Sequence, residues 1–125
     1  MNNMLSEFRR VEQTLQRLTI IAEQLNEGVA LVDLNGIIHF ANPAMVKMHG
    51  YLSGKDLISK KINALHTEDQ MNTDVFPMIE AVKLKGQVKR NSEHLRSDGA
   101  LFPTQTKMIL LKNERDKAVG IIILL

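Results

Sequence analysis

The chain has 125 residues, with 16 Lys or Arg against 14 Asp or Glu, for a net charge of +2. Its 44% apolar and 24% charged residues are enough to bury one core, which separates it from disordered chains. It has no cysteine, so disulfide frameworks, thiolate zinc sites and cysteine nucleophiles are excluded.

The longest apolar run lies within residues 118–125, far short of the roughly 20 residues of a membrane span. A cytoplasmic domain is expected, with no membrane insertion of this segment. The first 25 residues lack Gly and Pro. Within them Met4, Phe8, Val11, Leu15, Leu18, Ala22 and Leu25 recur at helical spacing, as on a helix that packs lengthwise. This predicts an amphipathic, coiled-coil-like helix over 1–25, followed by a domain over 26–125. That helix could pair with a second copy, lie on its own domain, or do both.

Gly28 ends the helical pattern. Val29-Ala30-Leu31-Val32 and Ile37-Ile38-His39-Phe40 then read as strands, joined by Asp33-Leu34-Asn35-Gly36. Asn-Gly between such runs signals a hairpin, because both residues accept positive φ. Asn42-Pro43 predicts a helix cap followed by the first helical residue, and only a short helix fits before Gly50. Ser53 is expected to cap another short helix reaching about Lys60. A further helix is expected over 73–85, stopped by Gly86, with Pro77 moving its start to near Phe76. From Gln87 the pattern returns to strands at 88–96, 101–112 and 118–125, joined by turns at 97–99 and 113–117. Strands joined by short turns pair antiparallel, so the fold class is α+β with one five-stranded antiparallel sheet and short helices on one face.

The last strand is apolar on both sides: Val119, Ile121 and Ile123 on one, Ile122 and Leu124 on the other. Such a strand is expected to be covered on both faces. The helices reach only one, so the other calls for the N-terminal helix, a second copy, or both. Residues Phe8, Val11, Leu15, Leu18, Ile122 and Leu124 are the candidates for a dimer interface. The apolar ending also suggests a piece of a longer protein.

Several stretches, in this order and spacing, resemble a PAS domain. They are Gly28-Val29-Ala30-Leu31-Val32-Asp33-Leu34-Asn35-Gly36-Ile37-Ile38, Phe40-Ala41-Asn42-Pro43-Ala44, Gly50-Tyr51, Leu65-His66-Thr67-Glu68-Asp69 and Ser97-Asp98-Gly99-Ala100-Leu101-Phe102-Pro103. The resemblance implies a sensory and dimerisation module serving a histidine kinase, a cyclase or a transcription regulator. It leaves the ligand open, since members bind haem, flavin, small metabolites or nothing known.

The residues narrow that choice. A flavin–cysteine adduct is excluded by the lack of cysteine. Haem is not expected, because haem-binding members carry an axial histidine on the helix before the third strand, and residues 73–85 contain none. His66 reads as a turn residue, His49 as a structural or exposed residue at a helix end, and His39 as core packing on the second strand. His94 shares a strand face with Arg90 and Ser92, facing either solvent or a polar pocket wall. Residues 50–56 lack the Ser or Thr that a phosphate loop needs after its Lys, and no zinc-helix or nucleophile-elbow motif is present. No catalytic residue, metal ligand or enzyme activity is therefore expected. Basic residues after Gly86 are interrupted by Glu93, Asp98, Glu114 and Asp116, which argues against direct nucleic-acid binding.

A small organic ligand between helices and sheet is the remaining expectation. Methionines adapt to irregular cavities, and Thr104, Thr106 and Met108 share one strand face. The candidate pocket is Met45, Met48, Phe76, Ile79, Thr104, Thr106 and Met108. The competing reading is a ligand-free dimerisation scaffold whose methionines simply fill a core poor in aromatic residues.

Overall fold

The computed structural model describes residues 26–125, together with Ser6, Arg9, Arg10 and Gln13. Those four are helical, exposed and spaced to share one helix face. Phe8, Val11, Leu15 and Leu18 lie outside the described residues.

Five strands form one antiparallel sheet in the order β2-β1-β5-β4-β3. They are β1 (Val29–Val32), β2 (Ile38–Ala41), β3 (Gln87–Leu95), β4 (Leu101–Lys112) and β5 (Ala118–Leu124). Between β2 and β3 lie α1 (Pro43–Met48), α2 (Glu68–Gln70) and α3 (Phe76–Lys85), with 3-10 turns at Gly54–Asp56 and Ile62–Leu65.

The β1–β2 connection is longer than an Asn-Gly hairpin. Gly36 has φ +80°, whereas Asn35 does not take positive φ. Asp33 Oδ1 instead accepts from the N–H groups of Asn35 and Ile37, an Asx turn. Burial raises the Asp33 pKa, but His39 and these two N–H groups outweigh it and hold the carboxyl below its ordinary value. His39 is a correction to the sequence reading: it is the extra residue of a bulge, since Leu31 pairs with Phe40 and Val32 with Ile38. Its ring leaves the core and Nε2 meets Asp33 Oδ2 at 2.8 Å. The bulge also reverses the strand, so that Ile38 faces the helices and Phe40 the opposite side.

Asn42 caps α1 as expected. Its Oδ1 accepts from the N–H of Met45 and of Val29, each at 2.9 Å, and Nδ2 donates to the Glu27 carbonyl. One buried amide thus ties the helix start to β1. Ser53 caps only a single 3-10 turn, shorter than the expected helix, and places Leu57 fully inside while Ile58 stays exposed. Before α3, residues Met71–Val75 form a π-helical turn, with the Phe76 N–H reaching the Met71 carbonyl. Pro77 accounts for this widening, because its ring would strike the carbonyl four residues back in a regular helix. Gly86, at φ +85°, closes α3.

The core lies between the helices and one sheet face. There Ala30, Val32, Ile38, Met108, Ile121 and Ile123 meet Met45, Leu57, Leu65, Met71, Val75, Met78 and Val82. The other face carries buried Val29, Leu31 and Phe40, with half-buried Leu111, Ile122 and Leu124 packed against them. Among the described residues no helix is long and apolar enough to cross a membrane.

Candidate functional site

Three histidines from three elements meet at one end of this core. His49 follows α1, His66 follows the Ile62–Leu65 turn, and His94 lies on β3; their exposures are 0%, 6% and 3%. The His66 and His94 ring centres are 4.3 Å apart, those of His49 and His94 5.1 Å, and Phe102 packs against both His49 and His94.

Their protons follow from their partners. His49 Nδ1 lies 2.7 Å from the Met45 carbonyl, which can only accept, so Nδ1 carries hydrogen. Burial lowers the His49 pKa, and the Arg96 charge adds to this against the pull of the Met45 carbonyl. The ring is therefore neutral and its Nε2 accepts from His94 Nδ1 at 2.9 Å. Burial, with His66 and His49 alongside, pushes His94 down to about 2, so this ring is also neutral. Its Nε2 then accepts from the Thr106 hydroxyl at 3.3 Å. Thr106 Oγ1 in turn lies 2.6 Å from Thr104 Oγ1 and 2.9 Å from Ser92 Oγ. The result is one directional chain of hydrogen bonds from the hydroxyls of β3 and β4 to the backbone of α1.

His66 stands beside this chain without joining it. Its Nδ1 is buried and has no hydrogen-bond partner. Burial pushes the ring down to about 4, assisted by His49 and opposed by the Glu93 carbonyl and Gln70. The loop ahead of β4 ties these elements together from outside: Arg96 donates to the Met48 carbonyl, Ser97 N–H to that of His49, and Ser97 Oγ to that of Gly50.

A cavity of about 20 Å³ opens beside His66 and His94. Its wall is mostly apolar, including Met45, Met78, Met108 and Ile123, with His66, Asp74, Ser92, His94 and Thr106 as the polar part. This is the size of one water, and neither a flavin ring nor a haem fits between the side chains as packed. His94 is hydrogen-bonded to His49 and meets His66 edge-on, and no metal-binding cluster of His, Asp or Glu occurs among the described residues.

Of the candidate pocket residues, Met45, Thr106 and Met108 line the cavity, and Thr104 supports Thr106. Met48 does not; its sulfur packs over Gly28. Ile79 lies at a neighbouring small cavity with Val32 and Ile121. Phe76 is 48% exposed on an outer groove, because it follows buried Val75 by about 100° around the helix. Ile122 and Leu124 lie on the outer sheet face. The sequence reading missed the histidine cluster. The available signal was strand pairing, which sets Ser92 opposite Thr104 and His94 opposite Phe102 on the face already assigned to Thr106.

The model of the PAS domain family matches residues 26–125. The chain belongs to this family. A PAS domain is a sensory and signalling module, and the five-stranded sheet with its short helices is the fold inferred from the sequence. The PAS domain of a protein from Colwellia psychrerythraea superposes with a TM-score of 0.79 at 21% identity, covering 89% of this chain and 93% of that one. A PAS domain from a two-component sensor histidine kinase gives 0.70 at 15% identity, covering 91% and 96%. A PAS domain in complex with ethanol, from a LuxR-family transcriptional regulator of Burkholderia thailandensis, gives 0.63 at 17% identity, covering 78% and 87%. The search of curated proteins finds no match.

Proposed function

We propose that this PAS domain is the cytoplasmic sensory module of a larger signalling protein, such as a histidine kinase, cyclase or transcription regulator. It binds a small organic ligand between helices and sheet and itself performs no catalysis. The observation that carries this reading is the polar group on the wall of an apolar cavity, with one buried ring nitrogen unpartnered. Buried polar atoms normally have partners, and exceptions call for an explanation. The ethanol held by the Burkholderia domain is in keeping with a small guest. Binding changes the packing of α1 and α3 on the sheet, and a homodimer formed by residues 1–25 and the outer sheet face passes that change to an output domain. Such a shift requires different affinities for two states.

The small cavity favours one alternative, a ligand-free dimerisation scaffold. Native mass spectrometry of the freshly purified chain separates the two. A dimer with added mass supports the sensor, a dimer at bare mass the scaffold, and a bare monomer contradicts the dimer in both.

A further inference from the structure

We propose that His66 is the polar anchor of the interior site, and that its ligand is an uncharged molecule carrying one hydroxyl on a short apolar body. This rests on the sensory reading above and names the ligand class for it.

His66 is 6% exposed, and its Nδ1 faces no hydrogen-bond partner. The other polar side chains of the cavity wall at this end are already engaged: His94 with His49 and Thr106, and Ser92 with Thr104 and Thr106. His66 Nδ1 is therefore the unused polar atom beside this wall. A hydroxyl both donates and accepts, so it satisfies that nitrogen in either neutral tautomer.

Charge argues for a neutral guest. No Lys or Arg lines the cavity to balance an anion. His66 itself is neutral near pH 7, as burial holds its pKa at about 4. A cation would lose its hydration against a wall that is mostly aliphatic and thioether.

Size argues for a short body. The cavity of about 20 Å³ holds the hydroxyl alone. Carbons enter only as Met45, Met78 and Met108 change rotamer, which their unbranched chains permit.

A route inward is also present. His66 lines the cavity and also an open surface groove of about 490 Å³, formed with Asn63, Glu68, Met71, Asn72 and Phe76. The π-helical turn Met71–Val75 supplies residues to both: Met71 and Asn72 to the groove, Asp74 and Val75 to the cavity. Rearrangement of this wide turn, beside His66, joins the two spaces.

The test is NMR titration of the full chain with three probes: 1-propanol, propionate and xenon. 1-Propanol should shift the His66 ring nitrogens and the methyl groups of Met45, Met78 and Met108 saturably, while propionate leaves them unchanged. His66→Leu should weaken propanol binding at least tenfold and leave xenon binding intact, which also reports a folded cavity. His66→Asn, which returns a polar group near the Nδ1 position, should restore part of the propanol affinity. Asn63→Trp, filling the groove, should slow propanol exchange several-fold. Propanol binding unchanged in His66→Leu, or propionate binding as well as propanol, overturns the proposal. So does unaltered exchange in Asn63→Trp, as far as the route is concerned. Xenon entering wild type while propanol does not overturns the His66 anchor and leaves the sensory reading standing. If neither enters, both fall and the scaffold remains.

Discussion

His94 donates from Nδ1 to Nε2 of His49 across 2.9 Å, joining β3 to the end of α1 by two neutral rings 45 residues apart in the chain. The direction is fixed at the far end, where the Met45 carbonyl accepts from His49 Nδ1. Both rings must therefore carry hydrogen on Nδ1. Long-range proton–nitrogen spectra at pH 7 are expected to report this tautomer for both. Thr106→Val should then move the His94 Nε2 signal strongly, as that nitrogen loses its donor, and leave His49 Nδ1 nearly unchanged. An Nε2–H form of His49 would contradict the chain.

Acid should unfold the domain in a defined range. The three rings are neutral when folded, with pKa values below the ordinary 6.5, whereas the unfolded chain protonates normally. Their contribution is complete above pH 6.5 and declines as pH falls, continuing to about 4 for His66 and lower for His94. Each ring held neutral contributes a slope approaching about 1.4 kcal/mol per pH unit within its range. Urea melts between pH 7.5 and 4.5 should show stability falling with pH, less steeply in His66→Leu. A flat profile would rule out the buried neutral cluster.

Asn42→Ala removes a helix cap and leaves the Val29 N–H and the Glu27 carbonyl without their partner. A lost cap costs about 1 kcal/mol, and an unsatisfied buried group about 1–3 kcal/mol. A total loss of about 3 kcal/mol is expected in chemical denaturation. A loss below about 1 kcal/mol would mean that the tie between α1 and β1 contributes little.

Much of the fold was legible because its punctuation is local. Asn42-Pro43 and Gly86 mark helix ends through their own backbone demands, and the turns at 97–99 and 113–117 divide the strands. The bulge at His39 was not legible: one unpaired residue reverses a strand, and nothing in Ile38-His39-Phe40 announces it. The π turn was half legible, since Pro77 marks a break without saying how the helix absorbs it. The site is non-local. Each histidine taken singly fits a turn, a helix end or a strand, and only their meeting gives them one buried environment.

Two glycines with similar backbone should respond differently to alanine. Gly50 and Gly86 have φ of +78° and +85°. At Gly86 a Cβ meets nothing within 4 Å, whereas at Gly50 it would lie 2.9 Å from Ser97 Oγ. Gly86→Ala should cost about 1 kcal/mol from the left-handed backbone alone. Gly50→Ala should cost more, because it also displaces the hydroxyl bonded to the Gly50 carbonyl. Equal losses would show that the Ser97 contact yields freely.

The proposed dimer is tested by charge. Leu15→Glu combined with Leu18→Glu is expected to convert a sedimenting dimer to a monomer while the sheet circular-dichroism signal remains. Persistence of the dimer would remove the helix seam from the interface.

The strand order gives the chain a timetable. β1 lies between β2, which follows it closely, and β5, which comes almost ninety residues later, and Leu125 N–H closes onto the Gly28 carbonyl at 2.9 Å. As the polypeptide leaves the ribosome, Val29–Val32 has one edge open until residues 118–124 emerge to fill it. The hairpin of β3 and β4 can form earlier from neighbouring sequence, yet it reaches β1 only through β5. A nascent chain halted before residue 118 would thus display two unjoined half-sheets, a form that a chaperone or a protease reads as unfinished.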